Sequence, residues 1–270
     1  MSTLVLSEVW IYPIKSLGGV SVSHAAVYQK GLRYDRRWML IDEKKVAMTQ
    51  RTYHDMALFK LSFEGNTIRI AYTRNGSVLD EASLNLAQSP KAESITAQVW
   101  ADSVQVTEVN PDLSKWFSRL LNTSCKLVSF AEKNPRKVDR GYSVNDENVS
   151  LADAYPFLII GQSSLNDLNQ KLSEAVPMNR FRPNFVFTGA APFAEDTWTN
   201  FSIGAVRFVG VKRSDRCILT TVDQVTAKRG VEPLRTLSRY RKEGNKVFFG
   251  QNLVAIDEGT VSVGDSIILH

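Results

Sequence analysis

The stretch Thr67-Ile68-Arg69-Ile70-Ala71-Tyr72-Thr73-Arg74-Asn75-Gly76 decides the fold class. Ile68, Ile70 and Tyr72 fall on one face of an extended chain, and Thr67, Arg69 and Thr73 fall on the other. A period of two is the pattern of a half-buried strand. Asn75-Gly76 is the pair that a two-residue hairpin turn requires. The same alternation recurs in Val20, Val22, Ala26 and Tyr28, and again in Ile95, Ala97 and Val99. Gly18-Gly19 and Gly65-Asn66 supply further turns. Strands are also predicted at Asn184–Thr188, Ile203–Val209, Lys246–Phe249 and Ser266–Leu269. Many short strands separated by turns argue for a barrel or a sandwich.

Helices are few. Leu113, Trp116, Phe117, Leu120 and Leu121 make one apolar face over Pro111–Leu121, with Asn110 placed to cap it and Pro111 in the first turn. A second helix is predicted over about Ser164–Glu174, with Ser164 and Asp167 as a capping-box-like start. A weaker third begins at Pro233. The polar run Ala131–Asn148 lacks periodicity and reads as a linker or a functional loop. The expected fold class is therefore α+β, predominantly β. The expected units are residues 1–125 and 126–270.

The chain has 270 residues, allowing one large or two small domains, and 43% of them are hydrophobic, enough for a packed core. Apolar runs such as Phe157–Ile160 are too short to span a membrane. Met1–Glu8 has neither the basic start nor the long apolar stretch of a secretory leader. Two cysteines, Cys125 and Cys217, cannot by themselves ligate an all-cysteine iron–sulfur or zinc site. A reducing cytoplasm is the expected location. The net charge of +5 is spread thinly: residues 1–90 carry 11 basic and 8 acidic side chains, and residues 181–270 carry 12 and 9. A nucleic-acid binder would show a denser basic stripe. The clusters Arg33/Arg36/Arg37 and Lys212/Arg213/Arg216 suit a small anion better.

No phosphate loop, dinucleotide fingerprint, nucleophile elbow or paired-histidine metal motif is present. His24, His54 and His270 are scattered. Cys217 is the informative residue, because Lys212, Arg213 and Arg216 precede it closely and nearby cations favour a thiolate. On local charge alone it is either a reactive thiol or a buried inert one. Cys125, beside the apolar Leu127-Val128, reads as inert. Lys15-Ser16-Leu17-Gly18-Gly19 offers a lysine and a hydroxyl beside flexible backbone, suited to a phosphate. With Arg36 and Arg182, these residues suggest a phosphorylated cofactor near a thiolate.

Arg216-Cys217-Ile218-Leu219-Thr220-Thr221-Val222-Asp223 resembles the signature of MOSC-domain proteins, a domain shared with the C-termini of molybdenum-cofactor sulfurases. Tyr12-Pro13-Ile14-Lys15-Ser16 and Asp35-Arg36-Arg37-Trp38 resemble that family's N-terminal β-barrel. Leu151–Pro156, Phe181-Arg182-Pro183-Asn184 and Phe249-Gly250-Gln251-Asn252 resemble its later blocks, in order. The pattern is most similar to the amidoxime-reducing components. The resemblance implies an N-terminal β-barrel-like domain followed by a MOSC β-barrel with a few flanking helices, and a pterin cleft between them. It implies the molybdenum cofactor (Mo-molybdopterin), with Cys217 as the metal ligand. Lys15, Ser16, Arg36, Asp153, Arg182, Asn184 and Asn252 would contact the pterin and its phosphate. Pyridoxal phosphate binding is a further family-level association.

The implied activity is reduction of N-hydroxylated bases, amidoximes and related small molecules. The rival reading is a cofactor or sulfur carrier with a persulfide on Cys217, and a metal-independent binding module is the third. Bacterial relatives of this pattern often continue into an iron–sulfur domain, whereas this sequence stops at His270. The expected electron source is therefore a separate ferredoxin- or flavoprotein-like partner, with no nucleic acid and no membrane involved. The basic ends of the chain would offer that partner its docking surface. Ser214 stands where some members carry a second cysteine, which argues against a two-cysteine mechanism in that loop.

Overall fold

The alternating stretch is the middle strand of a meander. In the computed structural model, which describes residues 3–87 and 92–270, Phe59–Glu64, Thr67–Arg74 and Ser77–Asn85 pair antiparallel in that order. Of the N-terminal residues read for a leader, Met1 and Ser2 lie outside the described residues. Ile68, Ile70 and Tyr72 are buried, and Asn75 and Gly76 take the positive φ values of 52° and 80° that their turn needs. A four-stranded sheet lies beside the meander, in the order Trp38–Ile41, Lys126–Ser129, Asp102–Glu108, Ser94–Val99.

Helix α1 (Pro111–Leu121) packs on the meander through Leu113 and Phe117. The Phe117 ring lies 5.1 Å from that of Phe59. Asn110 Oδ1 accepts the Asp112 and Leu113 N–H groups at 2.8 and 3.4 Å, as its cap position predicts.

The large sheet forms a barrel. Its strands run in the order Ile267–Leu269, Asn200–Ile203, Val206–Asp215, Lys246–Ala255, Phe157–Gly161, Phe185–Thr188, Val5–Ile11 and Val20–Val22. Val5 bridges to Ser266, and the Ile267 N–H donates to the Leu4 carbonyl at 2.9 Å. These contacts join the first and seventh strands. Leu6, Phe157, Phe185, Phe201, Phe208 and Leu253 fill the interior, with the Phe157 and Phe185 rings stacked at 5.7 Å. Strand pairing thus crosses the boundary expected at residues 125/126. Val5–Ile11 is a stave between strands from the other half, and His24–Tyr28 pairs with Gly259–Ser262.

Two local expectations need correction, and a third is narrowed to one of its alternatives. Helix α2 spans Gln162–Asn169 with Gly161 at its N-cap. Ser164 is buried inside it and donates to the Glu195 carboxylate at 2.9 Å, so it does not cap. The segment 203–209 is a hairpin rather than one strand, turning at Gly204 with φ of 56°. The segment Ala131–Asn148 is a fastened loop, not a linker. Arg136, 6% exposed, donates through Nη1 to the carbonyls of Ser150 (2.7 Å) and Ala152 (2.5 Å). That loop therefore fixes the segment leading to Asp153. The third helix, α3, is a single turn, Leu234–Leu237.

Candidate cofactor site

The eight residues singled out by sequence line one cavity: Lys15, Ser16, Arg36, Asp153, Arg182, Asn184, Cys217 and Asn252. Each comes from a strand or from the loop beside one. Lys15 and Ser16 follow Val5–Ile11. Arg36 precedes Trp38–Ile41. Arg182 and Asn184 precede Phe185–Thr188. Cys217 follows Val206–Asp215, and Asn252 lies within Lys246–Ala255. Ser16, Arg36 and Arg182 hold φ values of 65°, 50° and 57°. Left-handed backbone is uncommon in residues other than glycine, and such strain clusters at ligand sites.

Charge is the dominant feature of the lining. Lys15, Arg36, Arg51, Arg182 and Arg216 face the cavity against only two carboxylates, Asp153 and Asp215. Asp153 is a hub. It accepts from Lys15 Nζ at 2.5 Å, Arg51 Nη2 at 2.8 Å and Trp100 Nε1 at 3.2 Å. Its side chain is 49% exposed; partial desolvation at the cavity wall works against ionisation, but Lys15 and Arg51 outweigh it and hold the carboxyl well below the usual carboxylate range. Its stabilising contribution is then fully present above the unfolded pKa near 4 and is lost as pH falls through the depressed value. Asp153→Asn is expected to lower the unfolding midpoint by a constant amount between about pH 5 and 8, and by less below about pH 4. Thermal melts across that range check this, and a gap that widened in acid would contradict it.

Tyr12 carries two of these arginines, Arg36 and Arg182. The guanidinium of Arg36 lies 4.5 Å from its ring centroid and that of Arg182 4.3 Å. Both are cation–π distances. A Cβ at Gly19 would run into this ring, so glycine is needed there. Arg36 Nη1 donates to Asp35 at 2.5 Å and to Asn184 Oδ1 at 3.2 Å. Arg182 Nη1 donates to the Leu17 carbonyl at 2.6 Å, but its Nη2 is buried with no partner. Burial, then repulsion from Arg36, pushes the Arg182 guanidinium down to about 10. Arg216 donates to Phe181 O at 2.7 Å and Ser214 Oγ at 2.8 Å, and its Nε is likewise buried without a partner. Two buried N–H donors without partners, on cations that line one cavity, call for an anionic ligand.

The two cysteines separate cleanly. Cys125 is 5% exposed in the core around Leu113 and Phe117, where burial pushes its thiol up. Cys217 is half-buried in the cavity, and Arg51 Nε lies 3.2 Å from its sulfur. The cationic neighbours expected from sequence are only partly there. Lys212 sits over the Tyr142 ring at 4.3 Å, and Arg213 pairs with Glu243. Arg33 does not reach the cavity, and its guanidinium lies over Tyr34 at 4.8 Å.

Arg51 was not visible in sequence. It sits in the polar turn Met48-Thr49-Gln50-Arg51-Thr52, with no pattern to mark it. Gln50 positions that turn, donating to the Ser16 carbonyl at 2.7 Å and accepting from Gln224 Nε2 at 2.9 Å.

Among the described residues, no group of three His, Cys, Asp or Glu side chains could hold a metal ion. A metal held by protein alone needs about four ligands. A single cysteine sulfur in a cationic cavity suits a metal that brings its other ligands within an anionic organic cofactor. The residues present fit a molybdenum cofactor on that ground.

Residues 3–124 match the MOSC N-terminal beta barrel domain model, and residues 146–268 match the MOSC domain model. The chain is 35% identical to mitochondrial amidoxime-reducing component 1 of Mus musculus, over 98% of this chain and 82% of that protein. The chain belongs to the MOSC-domain family. The human protein of the same name is 32% identical over the same shares. The molybdenum cofactor sulfurase of Danio rerio is 28% identical over 92% of this chain and 32% of its own length. No helix among the described residues of this MOSC protein is long and apolar enough to cross a membrane.

Proposed function

We propose that this chain holds a molybdenum cofactor in the cavity and reduces N-hydroxylated small molecules, including amidoximes. The observation that carries the reading is one cavity containing Cys217 and two buried arginine N–H groups without partners, on Arg182 and Arg216. The names of the relatives agree with it. When bound, the cofactor would supply the two-electron redox chemistry.

The protein's own residues bind and orient. Cys217 provides the thiolate ligand. Lys15, Arg36 and Arg182 hold the phosphate, and Ser16, Asp153, Asn184 and Asn252 orient the pterin. Conversion of N–OH to N–H consumes two electrons and two protons and releases water. Asp153, kept ionised by Lys15 and Arg51, is not the proton source at neutral pH. The electrons come from a separate ferredoxin- or flavoprotein-like protein.

The test is elemental analysis and amidoxime turnover, with protein purified from a host that makes the cofactor. Expected are bound molybdenum, no turnover with NADH or NADPH alone, and turnover when a donor protein is added. Turnover with the nicotinamide alone would remove the partner from the proposal. Sulfane sulfur on Cys217, with no turnover under any donor, would favour the carrier reading.

A further inference from the structure

Trp100 stands out among the five tryptophans of the chain. Trp198 is buried and Trp10, Trp38 and Trp116 are half-buried, but Trp100 is 51% exposed. It is the first of two loop residues between Val99 and Asp102, which pair across the hairpin of Ser94–Val99 and Asp102–Glu108. Its φ is 56°. Two-residue hairpin loops favour glycine or asparagine where φ is positive, and a bulky aromatic there is an outlier.

Two contacts hold the ring in place. Its Nε1 donates to Asp153 at 3.2 Å, and the Arg51 guanidinium lies 4.5 Å from the ring centroid. Arg51 in turn touches the Cys217 sulfur, so a single side chain separates the tryptophan from the thiol.

We infer that Trp100, held against the cavity-lining Asp153 and Arg51, is the specificity-determining residue of the site, offering its open face to a planar, uncharged aromatic substrate that stacks on it. This rests on the reductase reading above. Stacking explains why a strained aromatic occupies a turn that asparagine would suit better. A half-exposed ring with one face covered by a cation has one face left for a flat partner. Arg51 sets the charge of that partner. Its guanidinium covers the other face of the ring, so a cationic amidinium is disfavoured beside it and a neutral ring is not.

The test compares wild type, Trp100→Asn and Trp100→Tyr, each purified with the molybdenum cofactor. Asparagine removes the ring and suits the turn, and tyrosine keeps a flat ring. The probes are benzamidoxime, which is flat and uncharged, and hydroxyurea, which has no ring. Calorimetric titration reads binding without turnover, and elemental analysis reads molybdenum. In Trp100→Asn the ratio of the benzamidoxime Kd to the hydroxyurea Kd is expected to rise roughly threefold to tenfold. The KM ratio should rise with it, and Trp100→Tyr should restore most of both. Molybdenum content should not change, and the unfolding midpoint should hold or rise as the turn relaxes.

An equal loss for both probes would overturn the inference, as would no loss for either. Loss of molybdenum from Trp100→Asn would also overturn it, since the ring would then be holding the cofactor. Ring-dependent binding of benzamidoxime without turnover under any donor would sink the reductase reading and leave the stacking site standing. Turnover indifferent to the ring at residue 100 would do the reverse.

Discussion

Replacing Cys217 by alanine is expected to abolish molybdenum retention and all turnover that depends on it, with the fold intact. The sulfur sits in a cavity rather than in a core, and its polar neighbour Arg51 keeps Asp153 and Trp100 as partners when the sulfur is removed. Arg51 Nε loses its partner, but the guanidinium is partly exposed and keeps its ion pair with Asp153, so the cost to the fold is small. Cys125→Ala should behave in the opposite way. That thiol is buried among Leu113, Phe117 and Leu127, and Ser118 Oγ lies 3.5 Å from its sulfur. Its loss leaves a small void, which lowers the unfolding midpoint and spares activity. Molybdenum per chain, turnover and thermal melts on the two variants form the test. Equal metal content in wild type and Cys217→Ala would refute the ligand assignment.

How much of this was legible in the sequence depends on how far apart the causes lie. The meander was readable because Ile68, Ile70 and Tyr72 bury one face while the other stays wet, which forces alternation. Phe157–Gly161 showed no such pattern, because it is buried along its whole length in the barrel wall and its run of apolar residues has no period. Closure of the barrel by Val5–Ile11 against Ser266 joins residues more than 250 positions apart, and no local pattern encodes it. Helix α1 had local caps and a local face, and its bounds were visible. Helix α2 had Ser164 and Asp167 at capping spacing, but a distant Glu195 claims the serine.

The site divides in the same way. Lys15, Arg36, Arg182 and Cys217 each sit in a short, chemically distinctive block. Arg51 and Trp100 come from ordinary turns, and only the tertiary fold brings them to Asp153. The left-handed backbone at Ser16, Arg36 and Arg182 had no signal at all, since none is glycine or asparagine.

Arg182→Met is expected to move stability and cofactor retention in opposite directions. Arg182 is 8% exposed, carries an N–H without a partner, and shares the Tyr12 ring with Arg36. Its pKa is pushed down to about 10, burial being the first cause and Arg36 the second. A shift of that size corresponds to roughly 3 kcal/mol against the charged form. Because the folded pKa is below the unfolded one, the penalty is fully present below about pH 10 and is relieved only as pH rises through the interval between the two. At neutral pH the empty protein therefore carries a buried cation that its Leu17 hydrogen bond and the Tyr12 ring compensate only in part. Methionine keeps the length and packing of the stem against Tyr12 and removes the charge. Cofactor-free protein should then melt higher as Arg182→Met than as wild type, as buried charges replaced by apolar groups often do.

Loaded protein should show the opposite. The lost charge-assisted hydrogen bonds to the phosphate are worth ~1.5–3 kcal/mol, so retention should fall about tenfold or more. Melts of protein from a host unable to make the cofactor, beside molybdenum content from one that can, separate the two effects. A residue kept only for the fold would lower both quantities together, and that result would remove Arg182 from the anchoring set. A gain in the empty protein with a loss in the loaded one is the signature of an arginine whose counterion is the ligand.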